Sequence, residues 1–546
     1  MPAMWRVRFA EPARASALAR ACGLDPVTAQ LLLHRGVSDP AAAARFLHPR
    51  LGSLEDPSRL PDLARAQSRM TRAIARREPI LIFGDSDLDG LTASVILSEV
   101  LSALGGIVRV QSSNRVRDGY GAPASLVERL RGSGTRVVIL VDCGTNQADV
   151  VRELSEYGID VIIVDHHIPL AGWATPHALV NPHQTGGRGR ELCSAGLAFK
   201  LAQALLGPRR RAALRDYLDL ATLGTLSDCV PLVGENRLIV AEGLARIVES
   251  RRPGLRRVCE ATQTTKADPE QIVKRLVPRF NASGRLGDPS AVRHLLQHDE
   301  SDQTQMWMEQ AEAAHATTKR LYRQMVAEAE DHVHRQHFGE QFVLVVSRSG
   351  WHQGLTGILA SQLAARYQRP AIAIALGAHR GIGSGRSIPR YDLLSALKAC
   401  QALLVRFGGH AQACGLTVEG RQVERFRMLI NQHGRLTLGR EGLVPTRSVD
   451  LELPLEAIQP RWVEETRAFA PFGRGNERPT VMIRRVTITP ASSRTATLSD
   501  GARGIAARGA WAGIRADERY DVVATPTLEE ETVRLMVSDV KVSAGP

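Results

Sequence analysis

With 546 residues, the chain exceeds what one hydrophobic core supports, and ordinary domain sizes divide it into about three or four folded parts. Hydrophobic residues at 44% and charged residues at 23% exclude wholesale disorder. A formal charge of +13 points to a polyanionic partner or to an Arg-rich proteome, and charge alone does not separate the two.

Residues 1–60 read as short helices broken by Gly36 and several prolines, with a packing role and no chemistry. The N-terminus MPAMWRVRFAEPAR lacks the apolar run of a signal peptide and no later segment reaches a membrane-spanning length, so a cytoplasmic location is expected. From Pro79, short apolar runs alternate with helical stretches: PILIFG, LTASVILSEVLSAL, TRVVILVDCG and IDVIIVDHH. That alternation predicts an α/β domain over 61–240 with a parallel sheet, whose ligands gather at the carboxyl ends of the strands. Residues 241–338 are expected to be a helical connector. Its stretch from Asp302 to His337, without Gly or Pro, forms a long bridging helix. QFVLVVS, GLTGILASQLAARY and PAIAIAL open a second, smaller α/β domain over 339–448. The alternating segments VMIRRVTITP, YDVVATPTL and ETVRLMVSDVKV predict a small β-barrel of the OB type over 449–546.

The seven cysteines, Cys22, Cys143, Cys193, Cys229, Cys259, Cys400 and Cys414, are scattered and form no CxxC pair, which argues against a disulfide framework or a zinc site. Acidic residues, by contrast, cluster where the predicted strands end. GDSDLDG offers Asp85, Asp87 and Asp89, VDCGTN offers Asp142, and VDHH offers Asp165, His166 and His167. A fourth cluster, TLGTLSDCVPL, places Asp228 at the end of a helix. One such loop is more often a turn or helix cap. Four together predict a site for Mn²⁺ or Mg²⁺, because hard oxygen donors with one or two imidazoles suit these ions and crowded carboxylates repel unless cations neutralise them.

GDSDLDG, VDCGTN, VDHH and SDCVPL resemble, in order and spacing, the four motifs of the DHH phosphoesterase superfamily. SNRVRDGYG, VPRFNASGRLGD, GWHQGLTGILASQL, GSGRS, FGGHAQACGL and FGRGN narrow the likeness to its RecJ-type exonuclease family, over roughly residues 30–480. The resemblance implies two divalent ions, Mn²⁺ or Mg²⁺, bridged by Asp142. Asp87 would hold one ion, and Asp89, His166 and Asp228 would complete the other site. His167 would face the substrate phosphate or orient a neighbour, and Asp165 would support the ligands from behind. Phe83 stands where some relatives have a histidine, so Asp85 is a candidate for the missing ligand. Water activated between the two ions would attack phosphorus in line, with no side-chain nucleophile; Ser112 and Ser113 are read as capping or surface groups.

The second α/β domain resembles the DHH-associated domain. Its GSGRS segment, with Ser384, Gly385 and Arg386, is expected to cradle a phosphate through backbone N–H groups and a guanidinium. With Arg115, Arg279, Asn281 and Arg285 it would form a pocket for a terminal 5′ phosphate. His410 either lines the same cleft or is structural; Trp351 and His352 either pack between domains or stack on a base. Trp511 and Tyr520 are the barrel's candidates for base stacking, although residues of these types are more often in a core or on a plain surface.

What the resemblance implies is a 5′-to-3′ exonuclease on single-stranded DNA, serving repair and recombination. A helicase and a single-strand-binding protein would be its partners, and its own domains would enclose the cleft as a monomer. Two alternatives are a phosphoesterase of short oligonucleotides or bisphosphate nucleotides, and a non-catalytic scaffold that binds single strands. The extra C-terminal domain disfavours the first and the filled acidic positions disfavour the second.

Overall fold

The computed structural model describes residues 3–184, 188–298, 302–335, 338–515 and 517–543, which divide into two compact units. The larger comprises 56–228 and 243–445, the smaller 3–55, 229–242 and 446–546.

In the larger unit, the strands β1 (Pro79–Gly84), β2 (Ile107–Ser112), β3 (Val137–Val141), β4 (Asp160–Val164) and β5 (Ala178–Val180) form one parallel sheet in the order β2-β1-β3-β4-β5. β3 is buried throughout and β1 and β4 nearly so, which is why they read as unbroken apolar runs and not as alternating ones. Leu81, Phe83, Leu140 and Ile163 pack on one face against Leu126, Val127 and Leu154. Helix α1 (Leu88–Ala103) contacts β1, β2 and β3, and α2 (Ser194–Leu206) and α3 (Leu218–Ser227) pack against α1. The chain leaves β1 for the edge strand β2 and returns across β1 to β3. The carboxyl ends of β1 and β3 therefore flank the point where strand order reverses, the usual place for a ligand in such sheets.

Helix α4 (Val277–Leu286) follows, then the long helix α5 (Thr304–Arg335), 32 residues and about 48 Å in length. Positions 336 and 337, the predicted end of that helix, lie outside the described residues. The distal part of α5 contributes Met325, Ala329 and Val333 to the core of a second sheet. Its strands are β6 (Leu344–Ser349), β7 (Ala371–Leu376), β8 (Arg380–Arg386), β9 (Leu404–Gly409) and β10 (Ala413–Glu419), ordered β9-β10-β8-β7-β6. Only β6 and β7 run parallel; the other pairings are antiparallel.

In the smaller unit, strands Val481–Pro490, Thr495–Ser499, Gly504–Arg508, Thr532–Val542 and Tyr520–Glu529 pair in that order. The last pairs back to the first, closing a five-stranded barrel. The N-terminal helices, expected to be a segment of their own, share its core: Leu31 and Leu32 are buried in one cluster with Trp462, Phe469, Val481, Leu498 and Leu535. The expected base-stacking residues sit in that core too. Trp511 is 6% exposed, and Tyr520, 2% exposed, donates its hydroxyl to Glu518 Oε2 at 2.7 Å, so neither offers a ring face to a ligand.

Candidate metal centre

The loop after β1 enters α1 with Asp87 as its N-cap, accepting from Gly90 N at 3.2 Å. Gly90 is required there, since a Cβ would lie 2.6 Å from the Asp85 carbonyl. Asp89, in the first turn of the helix, accepts Ser194 N on Oδ2 and Ala195 N on Oδ1, both at 2.8 Å. A carboxylate about a hundred residues away thus caps the N-terminus of α2, where backbone dipoles favour negative charge. Asp142, directly after β3, holds a positive φ of 60°, and its Oδ1 accepts from Ser194 Oγ at 2.8 Å. Neither contact of Ser194 was visible in the sequence, where that residue reads as an ordinary helix start.

These groups converge on His166. Its Nε2 lies 3.5 Å from Asp142 Oδ1, 3.7 Å from Asp228 Oδ2 and 3.9 Å from Asp89 Oδ2. Three sets of ligand atoms come within 4.8 Å of one another: Asp89, His166 and Asp228; Asp85, Asp87 and Asp142; and Asp142, His166 and His167. Asp142 and His166 each belong to two sets.

Electrostatics report what this crowding costs. Desolvation, then the charges of Asp142, Asp89 and Asp228, push Asp87 well above the usual carboxylate range. Asp89 is pushed up to about 7 by burial and by Asp142 and Asp228. Burial pulls Asp142 the same way, yet the hydrogen bond from His166 and the charges of His167 and His166 hold it low. For His166, burial opposes protonation, but its bond to Asp142 and the carboxylates around it raise its pKa well above the ordinary value. The polypeptide thus leaves its own negative charge incompletely neutralised, and an oxygen-rich set with one or two imidazoles fits divalent cations of the Mn²⁺ and Mg²⁺ type.

Asp165 stands behind the ligands. It accepts from His166 N at 2.8 Å and from His167 Nδ1 at 2.6 Å, and it receives Thr145 N at 3.3 Å. Burial disfavours charge on His167, but Asp165 outweighs it and raises the imidazole's pKa. Tyr120, in the SNRVRDGYG motif but not foreseen, donates to the Asp142 carbonyl at 3.0 Å and lies 3.1 Å from His167 Nδ1. His410, delivered by the turn between β9 and β10, stacks on His167 at 6.4 Å between ring centroids.

Other residues fall elsewhere than the sequence reading put them. Phe83 is in the core. Asp85 is fully buried and pairs with Arg115 through both carboxylate oxygens, and Ser113 Oγ donates to it at 2.7 Å; Ser113 is therefore a buried support and not a surface group. Arg115 also reaches Asp87 Oδ2 at 2.8 Å. Gly383 to Arg386 are not a cradle. They lie in β8, whose backbone is paired to β7 and β10, so its N–H groups belong to the ladder. Gly385 is glycine because a Cβ would meet Leu393 Cδ2 at 2.6 Å. Ser384 Oγ lies 3.0 Å from Thr356 Oγ1, and among the described residues half-buried Arg386 bonds only its neighbour's carbonyl, at 3.0 Å. Arg279 points away to Glu312 on α5, at 2.8 Å. Asn281 spends its amide inside the protein: Oδ1 accepts from Leu88 N at 2.8 Å and Nδ2 donates to Ser227 Oγ at 3.0 Å. Arg285 is half-buried, and desolvation lowers its pKa against the opposing charge of Asp87. Trp351 packs, with its indole N–H on Glu328 at 2.7 Å, and His352 Nδ1 accepts from Gly354 N.

Comparison with known proteins agrees with this architecture. The model of the DHH family, N-terminal domain, matches residues 79–225, that of the DHHA1 domain 340–433, and that of the RecJ OB domain 449–497. The single-stranded-DNA-specific exonuclease RecJ of Bacillus subtilis is 32% identical over 89% of this chain, which spans 62% of that relative's length. RecJ of Thermus thermophilus is also 32% identical, over 88% of this chain and 69% of its own. The crystal structure of RecJ from Thermus thermophilus in complex with Mn²⁺ superposes with a TM-score of 0.84 at 26% identity, covering 99% of this chain and 80% of that one. The same protein has been solved in complex with Mg²⁺. A five-residue convergence at the switch point of a parallel sheet, three successive domain matches and identity at this level over most of the length place the chain in the RecJ family of DHH proteins.

Proposed function

We propose that this chain is a 5′-to-3′ exonuclease that hydrolyses phosphodiester bonds of single-stranded DNA with two divalent ions, Mn²⁺ or Mg²⁺. The observation that carries the proposal is the meeting of Asp89, Asp142 and Asp228 around His166 Nε2, with Asp87 and Asp142 in the adjoining set. The names of the relatives support the substrate.

Asp87 would hold one ion and Asp89, His166 and Asp228 the other; Asp142, grouped with Asp87 on one side and 3.5 Å from His166 Nε2 on the other, would be shared between them. When bound, the ions supply an activated water and offset charge on the phosphoryl oxygens. The protein does the rest. Ser194 and the α2 N-terminus fix Asp142 and Asp89, so that ligand geometry is set before substrate arrives. Asp165 raises the pKa of His167 above its ordinary value, which favours the protonated ring, whose Nε2 can donate to an oxygen of the scissile phosphate. Asp85 is a ligand only if Arg115 leaves it, and its pairing through both oxygens supports a role as the anchor of Arg115. Arg115, Arg285, Arg386 and Ser384 receive the terminal 5′ phosphate, and His410 closes over His167. Side chains do this work in the second domain, since the backbone of β8 is committed.

A helicase and a single-strand-binding protein as partners are carried over from the family resemblance, and a monomeric state and a cytoplasmic location belong to the same proposal. Among the described residues no helix is long and apolar enough to cross a membrane. The test is degradation of a 5′-labelled single strand with Mn²⁺, comparing wild type with Asp142→Ala. Loss of at least about 10³-fold is expected from removing charge stabilisation shared by both ions. Activity that survives the substitution removes the mechanism. Dinucleotides degraded faster than long strands would move the substrate to short oligonucleotides.

A further inference from the structure

We infer that Asn281 is a positioning residue of the metal centre, one that fixes the spacing between the Asp87–Asp89 loop and Asp228 and does not contact the substrate phosphate. The inference rests on reading this cluster as the cation site.

Leu88 lies between Asp87 and Asp89 and is the first residue of α1, so its N–H has no partner within the helix. Asn281 Oδ1 supplies that partner at 2.8 Å. Ser227 ends α3 and precedes Asp228; its Oγ accepts from Asn281 Nδ2 at 3.0 Å. One planar amide therefore ties two segments that carry three of the ligand carboxylates. Its orientation is settled by chemistry, because Leu88 N is a donor and must face the amide oxygen, leaving the NH₂ for Ser227. Only 7% of Asn281 is exposed, and its oxygen and one amide hydrogen are used on the ligand-bearing segments.

Helix α4 cannot easily give way beneath it. Gly284 sits so close to the loop that a Cβ would lie 2.1 Å from Ser86 O, and on the other side Arg279 is tied to Glu312 of α5. One turn beyond Asn281, Arg285 makes no hydrogen bond through its guanidinium among the described residues and faces Asp87. The two residues, four apart on one helix, divide the labour: Arg285 keeps its donors for the substrate, and Asn281 has committed its oxygen and one amide hydrogen to the ligand-bearing segments. Ligand distances matter to a bound cation within about 0.2 Å, so slack of a few tenths of an ångström between these segments is felt as lost affinity.

The test is calorimetric titration of Mn²⁺ into the full-length, chelator-treated protein without DNA, followed by steady-state kinetics on single strands. Asn281→Ala is expected to weaken Mn²⁺ binding by about tenfold to 100-fold, as loss of a support behind a ligand does. Ser227→Ala, which breaks one bond of the two, weakens it less. Asn281→Asp keeps an acceptor for Leu88 N and can accept from the Ser227 hydroxyl, so it restores part of the affinity lost in the alanine variant. In Asn281→Ala kcat falls, KM is unchanged, and the preference between 5′-phosphorylated and 5′-hydroxyl strands stays as in wild type. Unchanged Mn²⁺ affinity in Asn281→Ala overturns the inference, as does a KM that rises selectively for 5′-phosphorylated strands. If Asn281→Ala fails to fold, Ser227→Ala decides by the same criterion. The titration needs no turnover, so failure of the nuclease reading appears in the wild type and failure of this inference only in the variants.

Discussion

Replacing Gly284 by alanine puts the geometry of the site to a quantitative test. The residue lies inside α4, where alanine is intrinsically favoured over glycine by about 1 kcal/mol. Nothing in the helix itself opposes the change. The obstacle is across the contact: the new Cβ would sit 2.1 Å from Ser86 O, a backbone atom of the loop that carries Asp85 and Asp87, whereas real Cβ contacts essentially never fall below 3.0 Å. Helix and loop must therefore separate by roughly 1 Å, and a displacement of that size at reacting groups costs about 10²-fold in rate. Overpacking of about 1–3 kcal/mol, less the helix gain, leaves a net stability loss of about 0–2 kcal/mol. The expected pattern is a small fall in Tm with a large fall in kcat, measured by thermal melting and by hydrolysis of a labelled single strand at saturating Mn²⁺. Wild-type activity with a raised Tm would refute the reasoning, since it would mean that the loop yields without moving the ligands.

Other expectations concern charge. Removing cations with a chelator should lower Tm, because Asp87, Asp89, Asp142 and Asp228 then face one another; Mn²⁺ at a hundred times its Kd should restore about 2.7 kcal/mol, and a Tm indifferent to Mn²⁺ would contradict the site. Arg252 is fully buried between Glu99 and Asp219, at 2.8 and 3.0 Å, so Arg252→Met leaves two buried carboxylates without their shared guanidinium and should cost about 3–5 kcal/mol in urea unfolding. Burial alone would raise the pKa of Glu99, but the hydrogen bond from His298 and the charge of Arg252 bring it below its ordinary value of 4.5. Its contribution to stability is therefore complete above that pH and lost as acid carries the solution through the folded value. Glu99→Gln should flatten the acid limb of a Tm profile below about pH 4.5, and an unchanged limb would exclude this pair as its source. Arg386→Ala should raise KM for 5′-phosphorylated strands more than for 5′-hydroxyl ones; equal effects would remove it from the phosphate site.

Much of the site was legible because a parallel sheet turns sequence order into spatial order. Asp87, Asp142 and His166 each follow an apolar run, and runs that pair side by side bring their ends together. What stayed hidden depends on contacts between distant segments that leave no local pattern. Ser194 reaches Asp142 and Asp89 from 52 and 105 residues away, and Asn281 joins Leu88 to Ser227 across 193 and 54. GSGRS misled for a related reason: its glycines look like a loop, yet they are there because Ile374 and Leu393 press on a central strand. Tyr520 opens an alternating segment whose pattern is equally compatible with either face of a barrel, and Trp511 lies outside the strands; both are in the core, the alternative to stacking that the sequence left open. The sharing of a core between the N-terminal helices and the C-terminal barrel, separated by hundreds of residues, has no signature in either segment.

The most direct measurement is anomalous diffraction at the manganese edge from crystals of this protein grown with Mn²⁺. Two peaks are expected, both touching Asp142, one beside Asp87 and the other among Asp89, His166 and Asp228. Peaks elsewhere, or a single ion that leaves Asp87 or Asp228 without a metal contact, would contradict the account.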